Sequence, residues 1–339
     1  PIADGGEGTA RVLLQSLGGE WRRCRVTGPR PGQTVEAGFV WMPSRRIAVI
    51  EMAAAAGLTL VPPRHRNPER TTTLGVGQLL RAARRLRPRR ILLTIGGSAT
   101  VDGGVGMAMA LGWRFLDAHG HPVGLGGAAL SRIRTIRPPP RYHMPPVDVL
   151  SDVTNPLLGP NGAAAVYGPQ KGATPAMVRR LENGLANLAQ RIEQTLGFSV
   201  ANRAGAGAAG GLGAGAVAFL NAHIRPGAET ILKRLGFPAI LRGAAWVITG
   251  EGSFDSTSLQ GKAISGILVA ARQFSVRVAV LAGQVRLPST EWRRAGIDYA
   301  AAIGRNRTPT AADLQRAPIL LRTAAARWAR QAALGRLKE

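Results

Sequence analysis

The sequence predicts an α/β protein built on parallel sheets. Short apolar runs typical of buried strands alternate with segments of helical periodicity, and several of these runs pass directly into glycine-rich loops. The chain has 339 residues, and single hydrophobic cores stop growing at about 250 to 300 residues. We therefore expect two domains with a cleft between them.

The composition suits a globular protein with a strongly basic surface. The formal net charge is +25, and almost all of the positive charge comes from arginines that are spread along the whole chain. Aromatic residues make up only 5%, too few for base stacking, so nucleic-acid binding is disfavoured but stays open. No stretch has the length and apolar character to cross a bilayer, and the lone Cys24 fits a reducing cytoplasm.

The first segment reads as a turn followed by a helix and a set of antiparallel strands. Asp4 opens a tight acidic glycine turn, and apolar spacing predicts a helix over residues 10–17. Alternating runs over residues 21–26, 34–41 and 47–51 then predict antiparallel strands. The change of pattern suggests that a second domain begins near residue 20.

The next strand leads into a candidate anion-binding loop. Residues 91–95 form an apolar run that ends at Gly96, Gly97 and Ser98, and Asp102 precedes a predicted helix over residues 105–111. Backbone amides at the start of a helix can hold phosphate or carboxylate groups. The spacing matches neither the Rossmann glycine fingerprint nor the Walker A motif.

A further strand, over residues 147–153, places polar side chains at its end. Asp152 and Asn155 could hold a metal-nucleotide or a polyhydroxy acid, although an Asx turn would use the same residues. Lys171 then precedes a helix predicted over residues 174–196. Since only four lysines occur, Lys171 and Lys262 indicate places where a compact charge is needed.

The best candidate site follows the strand over residues 246–249. Gly250 and Gly252 allow backbone amides to crowd one spot, while Glu251, Asp255 and Lys262 add charges that suit an anionic substrate or a metal-bound phosphate. An ordinary glycine turn with solvated charges is the alternative. Later strands over residues 277–282 and 297–303 alternate with helices and complete a parallel sheet.

Several long motifs together carry a resemblance to a known family. They are, in chain order, PIADGGEGT, IEMAAAAGL, IGGSATVDGG, SDVTNPLLGPNGAAAVYGPQKGAT, GAGAAGGLGAG and VITGEGSFDSTSLQGKA. These motifs resemble those of the type I glycerate kinases, the bacterial family that phosphorylates D-glycerate with ATP. The resemblance covers almost the whole chain.

The resemblance implies a particular domain layout. A Rossmann-like, flavodoxin-like parallel-sheet domain would be formed by both chain ends, residues 1–20 and 241–339. A mixed α/β domain over residues 21–240 would be inserted into it. Family members start several tens of residues earlier, with a strand and an Asp-Ser-Phe-Lys-type loop, so we expect an upstream segment that completes the site.

The resemblance also implies a reaction, with ATP and Mg²⁺ as cofactors. We predict Asp255 or Asp4 as the group that deprotonates the glycerate hydroxyl, Asp152 and Glu251 as metal ligands, and Lys171 and Lys262 as charges that stabilise the migrating phosphoryl group. The predicted binding residues for substrate and phosphate are Gly96, Gly97, Ser98, Asp102, Asn155, Gly250 and Gly252.

The expected product is 2-phosphoglycerate, with 3-phosphoglycerate as the alternative. Four positions depart from the family pattern: Val101 replaces Asn, Ser253 replaces Arg, and Thr257 and Ser258 stand in place of Gln-Thr. A glycerate-kinase-like binding protein without activity is the alternative function.

Overall fold

The computed structural model describes residues 2–141, 143–259, 263–308 and 310–334. It divides into two compact units, one of residues Ala3–Gly227 and one of Ala228–Glu339 together with Ile2. Each unit has an apolar core of its own. The α/β class and the parallel sheets predicted from the sequence are confirmed. The division after Gly227 differs from the boundaries inferred from the resemblance, and the discontinuous layout stays a prediction.

The first unit is built on a mixed sheet. In the described part of the chain this sheet has six strands in the order β1-β2-β3-β4-β7-β8, and β5 and β6 form a separate antiparallel pair. The strands are β1 (Glu20–Thr27), β2 (Thr34–Met42), β3 (Ile47–Glu51), β4 (Arg90–Thr94), β5 (Arg114–Leu116), β6 (Thr135–Arg137), β7 (Val147–Leu150) and β8 (His223–Arg225).

Strand direction follows the sequence pattern. The strands β1, β2 and β3 pair antiparallel, whereas β3, β4, β7 and β8 pair parallel. Parallel strands that are covered on both faces read as continuous apolar runs, and residues 91–94 of β4 are all buried. Asp148 is the exception in β7, and the guanidinium of Arg90 on the neighbouring strand pairs with its carboxylate at 2.8 Å.

The helices of the first unit pack on this sheet through regular apolar faces. They are α1 (Thr9–Leu17), α2 (Ala53–Ala56), α3 (Leu74–Arg84), α4 (Val105–Ala110), α5 (Ala163–Tyr167), α6 (Pro175–Leu196) and α7 (Ala208–Leu220). In α3 the buried residues Val76, Leu79, Leu80 and Ala83 recur at helical spacing. The α6 helix begins at Thr174, whose side chain accepts a hydrogen bond from the Met177 amide.

The glycine run over residues 205–215 brings α7 against the loop that follows β4. Three residues inside α7, Ala209, Gly210 and Gly211, have positive φ angles of 54°, 69° and 86°, so the helix is kinked there. A Cβ at position 210 would collide with the carbonyl oxygen of Thr100. The glycines therefore allow α7 to pack directly against the backbone of the loop that follows β4.

The second unit carries a parallel sheet with the order β13-β11-β9 among its described residues, and a short parallel pair, β10 and β12. Its strands are β9 (Trp246–Thr249), β10 (Ser253–Phe254), β11 (Arg277–Ala282), β12 (Gln284–Val285) and β13 (Tyr299–Ala302). Its helices are α8 (Gly227–Arg234), α9 (Phe237–Leu241), α10 (Ala263–Gln273), α11 (Ser289–Arg294), α12 (Ala311–Gln315) and α13 (Ala317–Ala333). The alternation predicted from the sequence is confirmed in this unit.

Candidate active site

In the first unit, three parallel strands end side by side. Glu51 at the end of β3 is in register with Thr94 at the end of β4, and Thr94 is in register with Leu150 at the end of β7. Ligands of open α/β sheets bind beyond the carboxyl ends of the strands. The register therefore gathers the segments that follow Glu51, Thr94 and Leu150 at one edge.

The acidic turn near the N-terminus lies against this edge. A Cβ at Gly5, which has a φ of +94°, would come within 3.1 Å of the Leu150 carbonyl oxygen. A Cβ at Gly96 would come within 2.8 Å of the Gly6 Cα, and one at Gly97 within 2.8 Å of a Glu7 carboxylate oxygen. Since glycine alone permits such close approach, the Gly-Gly pairs at 5–6 and 96–97 bring the two loops together.

Asp4 and Asp152 meet around Gly227 at the same edge. The Gly227 amide donates to Asp152 Oδ1 at 2.7 Å, and the Gly6 amide donates to Asp4 Oδ1 at 3.1 Å. A Cβ at position 227 would collide with the Asp4 carbonyl oxygen and would lie 3.2 Å from Asp152 Oδ2. The structure thus packs the backbone of Asp4 and the carboxylate of Asp152, two of the predicted acidic residues, against Gly227.

Glu51 joins this edge, although the sequence analysis did not select it. Its Oε1 accepts a hydrogen bond of 2.7 Å from the amide of Ala10 in the first turn of α1. Burial raises the pKa of Glu51, whereas backbone hydrogen bonds from Ala10 and Gly8 lower it. A carboxylate as the last residue of an otherwise apolar strand was the signal that could have identified it.

Lys171 lies beneath the loop of residues 96–100. Its Nζ donates to the Ser98 hydroxyl oxygen at 2.7 Å and to the Thr100 carbonyl oxygen at 2.8 Å, and the residue is only 1% exposed. The pKa of Lys171 is lowered to about 7, because the effect of burial outweighs the opposing effect of the negative charge on Asp102. The prediction that Lys171 touches the migrating phosphoryl group receives no support from this position, which indicates a role in shaping the loop.

Asp102 also lies inside the unit. Its Oδ2 accepts hydrogen bonds from the amide and the hydroxyl of Thr73, at 2.8 and 2.9 Å, and its Oδ1 accepts one from the Gly104 amide at 3.2 Å. Burial raises the pKa of Asp102, and the hydrogen bonds from Thr73 and Gly104 oppose this shift. The carboxylate therefore ties the starts of α3 and α4 together, so its position favours a structural role over the predicted substrate contact.

Asn155 is held by a turn of its own. Its side-chain amide donates to the Asn161 carbonyl oxygen at 2.8 Å, and its Oδ1 accepts from the Tyr167 hydroxyl at 2.7 Å. Both polar ends of the side chain are thus engaged with protein atoms. The alternative of a structural turn explains these bonds, and direct ligand binding by Asn155 stays a prediction.

In the second unit, the loop that follows β9 is held by backbone hydrogen bonds to the segment that follows β11. The amide of Gly283 donates to the Glu251 carbonyl oxygen at 3.0 Å, and the Gln284 amide donates to the Gly252 carbonyl oxygen at 3.0 Å. A Cβ at Gly250 would collide with the Leu281 carbonyl oxygen, whereas one at Gly252 would meet no atom within 4 Å. Gly250 therefore serves packing, and Gly252 lies on the open side of the loop.

Asp255 caps the short turn of residues Ser256–Leu259. Its Oδ1 accepts from the amide and the hydroxyl of Thr257, at 3.0 and 2.7 Å, and its own amide donates to the Ser258 hydroxyl at 3.0 Å. The carboxylate is thus held in one orientation at the edge where β9 ends. Lys262 and its neighbour Gly261, which were predicted to complete this loop, lie outside the described residues.

The sequence as a whole decides the family. The pattern of the glycerate kinase family matches residues 1–333. The chain belongs to the glycerate kinase family. It is therefore an enzyme of the phosphotransferase class, as the motifs predicted.

Curated relatives and a solved structure agree with this assignment. The glycerate kinase of Halalkalibacterium halodurans is 47% identical over 306 residues, which is 89% of this chain and 80% of the relative. The glycerate 2-kinase of Escherichia coli K12 is 42% identical over 288 residues, 84% of this chain and 75% of the relative. A crystal structure of a Salmonella typhimurium LT2 protein, provisionally named glycerate kinase 2, superposes with a TM-score of 0.85 at 38% identity, covering 100% of this chain and 89% of that chain.

For a glycerate kinase, the donor atoms around Gly227 fit a magnesium ion. Mg²⁺ takes oxygen ligands and is held in kinases by one or two carboxylates together with substrate phosphates. The Asp152 carboxylate and the Asp4 carbonyl oxygen, which both lie against Gly227, are oxygens of this kind. In the part of the chain that the structure describes, no group of three or more His, Cys, Asp or Glu side chains is placed to hold a metal ion.

Within residues 2–141, 143–259, 263–308 and 310–334, no helix is both long and apolar enough to cross a bilayer.

Proposed function

We propose that this chain transfers the γ-phosphoryl group of ATP to a hydroxyl of D-glycerate and releases 2-phosphoglycerate. Membership of the glycerate kinase family supports the reaction, and the name glycerate 2-kinase of the Escherichia coli relative supports the product. The alternative product, 3-phosphoglycerate, would need the other hydroxyl of glycerate to face the phosphate. A reducing, cytoplasmic location is part of the proposal, since Cys24 has no second cysteine to pair with.

The observation that carries the proposal is the meeting of Asp4 and Asp152 around Gly227, beside the loop that begins at Gly96. Phosphoryl transfer needs positioning and charge neutralisation more than covalent chemistry. Carboxylates beside a glycine-rich loop provide both functions, because the loop can bind anionic oxygens while the carboxylates orient a hydroxyl and a metal.

The loop of residues 96–100 is suited to donate hydrogen bonds. The Ser98 hydroxyl oxygen already accepts a hydrogen bond from the Lys171 ammonium, so its own proton is directed to another acceptor. A phosphate or carboxylate oxygen is such an acceptor. When Lys171 is protonated, its positive charge beneath the loop strengthens this preference without touching the ligand.

The proton of the glycerate hydroxyl passes to a fixed carboxylate in this proposal. Asp4 is oriented by the Gly6 amide and Asp255 by Thr257, so both stay candidates for the base. Bound Mg²⁺ would neutralise charge on the phosphate oxygens. Asp152 is the ligand that the geometry favours, and Glu251 stays the second predicted ligand.

The test is direct. The purified chain is incubated with ATP, Mg²⁺ and D-glycerate, and the product is identified by phosphorus NMR, with L-glycerate as the control substrate. We expect transfer to D-glycerate and a resonance of 2-phosphoglycerate. Binding of D-glycerate by calorimetry without any phosphoryl transfer would contradict the proposal and favour the inactive binding protein.

A further inference from the structure

A pocket in the first unit, separate from the residues assigned above, is lined almost entirely by basic and polar side chains. It has a volume of about 440 Å³, within the range of small-molecule sites. The lining residues are Arg30, Pro31, Arg64, His65, Arg66, Asn67, Arg70 and Thr71. Four of the eight are arginines and none carries a carboxylate, so we name this pocket the arginine pocket.

The positive charge of the arginine pocket is not balanced. In the described part of the chain, none of its four arginines forms an ion pair within 4.0 Å. The nearby Glu69 does not compensate them, because its carboxylate pairs with the guanidinium of Arg180 at 2.7 Å. Like charges held together without a counter-charge repel one another, and a bound anion would relieve that cost.

Two donors of the arginine pocket are shielded from solvent without a partner. The Nε atoms of Arg30 and Arg66 are buried and have no hydrogen-bond acceptor among the described residues. Buried polar groups in folded proteins are almost always hydrogen-bonded, and an exception calls for an explanation such as an absent ion. This observation is independent of the charge count, which an arginine-rich chain could produce by chance.

The walls of the arginine pocket are held by backbone hydrogen bonds. The Thr72 amide donates to the Pro29 carbonyl oxygen at 2.9 Å, which joins the two segments of the wall. Within the second segment, the His65 amide donates to Pro62 at 2.8 Å and the Arg70 amide to Asn67 at 3.1 Å. The pocket is therefore formed before any ligand binds, which limits the ordering cost of binding.

We propose that the arginine pocket binds a small anion that carries phosphate. The planar guanidinium group presents paired donors that match phosphate oxygens, and it keeps its charge at every physiological pH. The ligand could be the polyphosphate of a nucleotide or a separate phosphorylated metabolite. Both sources share the chemistry that the arginine pocket recognises.

The arginine pocket is connected to the loop of residues 96–100. The Thr71 hydroxyl donates to the Ala99 carbonyl oxygen at 2.8 Å, and the Arg66 guanidinium donates to the carbonyl oxygen of Gln170, the residue before Lys171, at 3.3 Å. An anion bound to Arg66 therefore contacts the same framework that holds the loop. An effect of the bound anion on the catalytic loop would rest on the proposed function, whereas the binding itself does not.

The experiment uses inorganic pyrophosphate as the probe and isothermal titration calorimetry at constant ionic strength. We expect saturable binding to the wild-type chain, and about tenfold weaker binding to both Arg66→Gln and Arg30→Gln, since a charge-assisted hydrogen bond is lost in each. Arg66→Lys keeps the positive charge but loses the paired donors of the guanidinium group. Its affinity for pyrophosphate should therefore lie between that of the wild type and that of Arg66→Gln. Circular dichroism melting confirms that each variant is folded.

The control is Arg322→Gln with Arg327→Gln, two arginines of α13 in the second unit, which removes more positive charge than either single variant. Unchanged affinity in this control is expected. Equal weakening in the control and in the pocket variants, or no saturable binding to the wild type, would overturn the proposal. The readout needs neither glycerate nor turnover, so its failure is distinct from failure of the proposed kinase activity.

A second titration distinguishes the two sources. If saturating ADP blocks pyrophosphate binding, the arginine pocket takes the phosphates of the nucleotide. If pyrophosphate still binds in the presence of ADP, the arginine pocket takes a separate phosphorylated ligand.

Discussion

The Lys171 ammonium and the Ser98 hydroxyl oxygen lie 2.7 Å apart in the interior of the first unit. Because of this bond, the Lys171 side chain contacts the Gly96–Ser98 segment from the buried side and not from the solvent side. At and below a pH of about 7 Lys171 carries its charge, and the loop above it then experiences a positive potential that water and salt do little to reduce, because a charge in the interior is weakly screened. The arrangement explains why a lysine was placed in a loop of an otherwise arginine-dominated chain, since a compact ammonium fits where a guanidinium would not.

The first prediction concerns the pH dependence of stability. Burial lowers the pKa of Lys171 from 10.5 to about 7, so the unfolded chain binds more protons at this residue between those values. The free energy of unfolding should therefore rise with pH from about pH 7 to pH 10, by at most about 1.4 kcal/mol per pH unit from this residue. Urea unfolding at several pH values measures the slope.

Lys171→Met should remove this contribution. The exposed Lys233 provides the matched control, because Lys233→Met removes the same charge from a solvated position. An equal slope in the wild type, in Lys171→Met and in Lys233→Met would contradict the buried position of the ammonium group.

The second prediction concerns Gly227. A methyl group at this position would collide with the Asp4 carbonyl oxygen and press on Asp152, so Gly227→Ala should lower the free energy of unfolding by about 1 to 3 kcal/mol. It should also reduce kcat/KM for glycerate, because the backbone of Asp4 and the carboxylate of Asp152 must shift. Gly124→Ala is the control, since the nearest atom to its Cβ would be 3.5 Å away. Normal activity in a stable Gly227→Ala protein would argue against a site at this edge.

Much of the fold could be predicted because its strands are short apolar runs that end at glycine-rich or polar loops. The strands over residues 47–51, 246–249 and 277–282 were predicted with the bounds that the structure shows. The strand predicted over residues 147–153 ends at Leu150, because Ser151 and Asp152 turn away to meet Arg225 and Gly227. The pair of β5 and β6 was missed, since three-residue strands carry too little periodicity to recognise.

The candidate site was predicted less completely than the fold. Residue type and spacing identified Asp4, Asp152 and Gly96, which the structure gathers at one edge of the first sheet. The same reasoning could not tell that Asp102 and Lys171 point inwards, because a polar residue in a glycine-rich loop suits a buried network as well as a ligand. Only tertiary packing decides between these two outcomes.

The third prediction concerns Glu51. Burial raises its pKa above the ordinary value of 4.5, so the folded chain binds more protons at this residue just above that pH and the carboxylate costs stability as pH rises. In Glu51→Gln the amide oxygen can still accept from Ala10, and the cost disappears. The difference in unfolding free energy should therefore shift in favour of the variant as the pH rises above 4.5.

Chemical denaturation across this pH range tests the prediction for Glu51. Glu193→Gln, at an exposed position of α6, provides the reference. A constant difference between the wild type and Glu51→Gln at every pH would show that the Glu51 carboxylate is not desolvated in the folded chain.

The fourth prediction concerns Asp152 and magnesium. In Asp152→Asn the side-chain oxygen can still accept from the Gly227 amide, but the negative charge is lost. We expect the Mg²⁺ concentration for half-maximal activity to rise by about 10- to 100-fold, with little change in thermal stability. Asp117→Asn, in an exposed turn where Asp117 accepts from the His119 and His121 amides, is the control. An unchanged Mg²⁺ requirement in Asp152→Asn would remove Asp152 from the metal site.

The last prediction separates the two candidate bases. Asparagine preserves the oxygen that accepts from Gly6 in Asp4→Asn, and the oxygen that accepts from Thr257 in Asp255→Asn, so both variants should fold normally. General-base catalysis contributes about 10²- to 10⁴-fold, and only the variant of the true base should lose kcat by that factor while KM for glycerate changes little. Steady-state kinetics of the wild type and both variants under the same conditions measure this. If Asp255→Asn keeps full turnover and Asp4→Asn does not, the base lies at the edge of the first sheet, with Asp152. If both keep full turnover, the hydroxyl is deprotonated by another group or by the phosphate itself, and the proposed mechanism fails at that step.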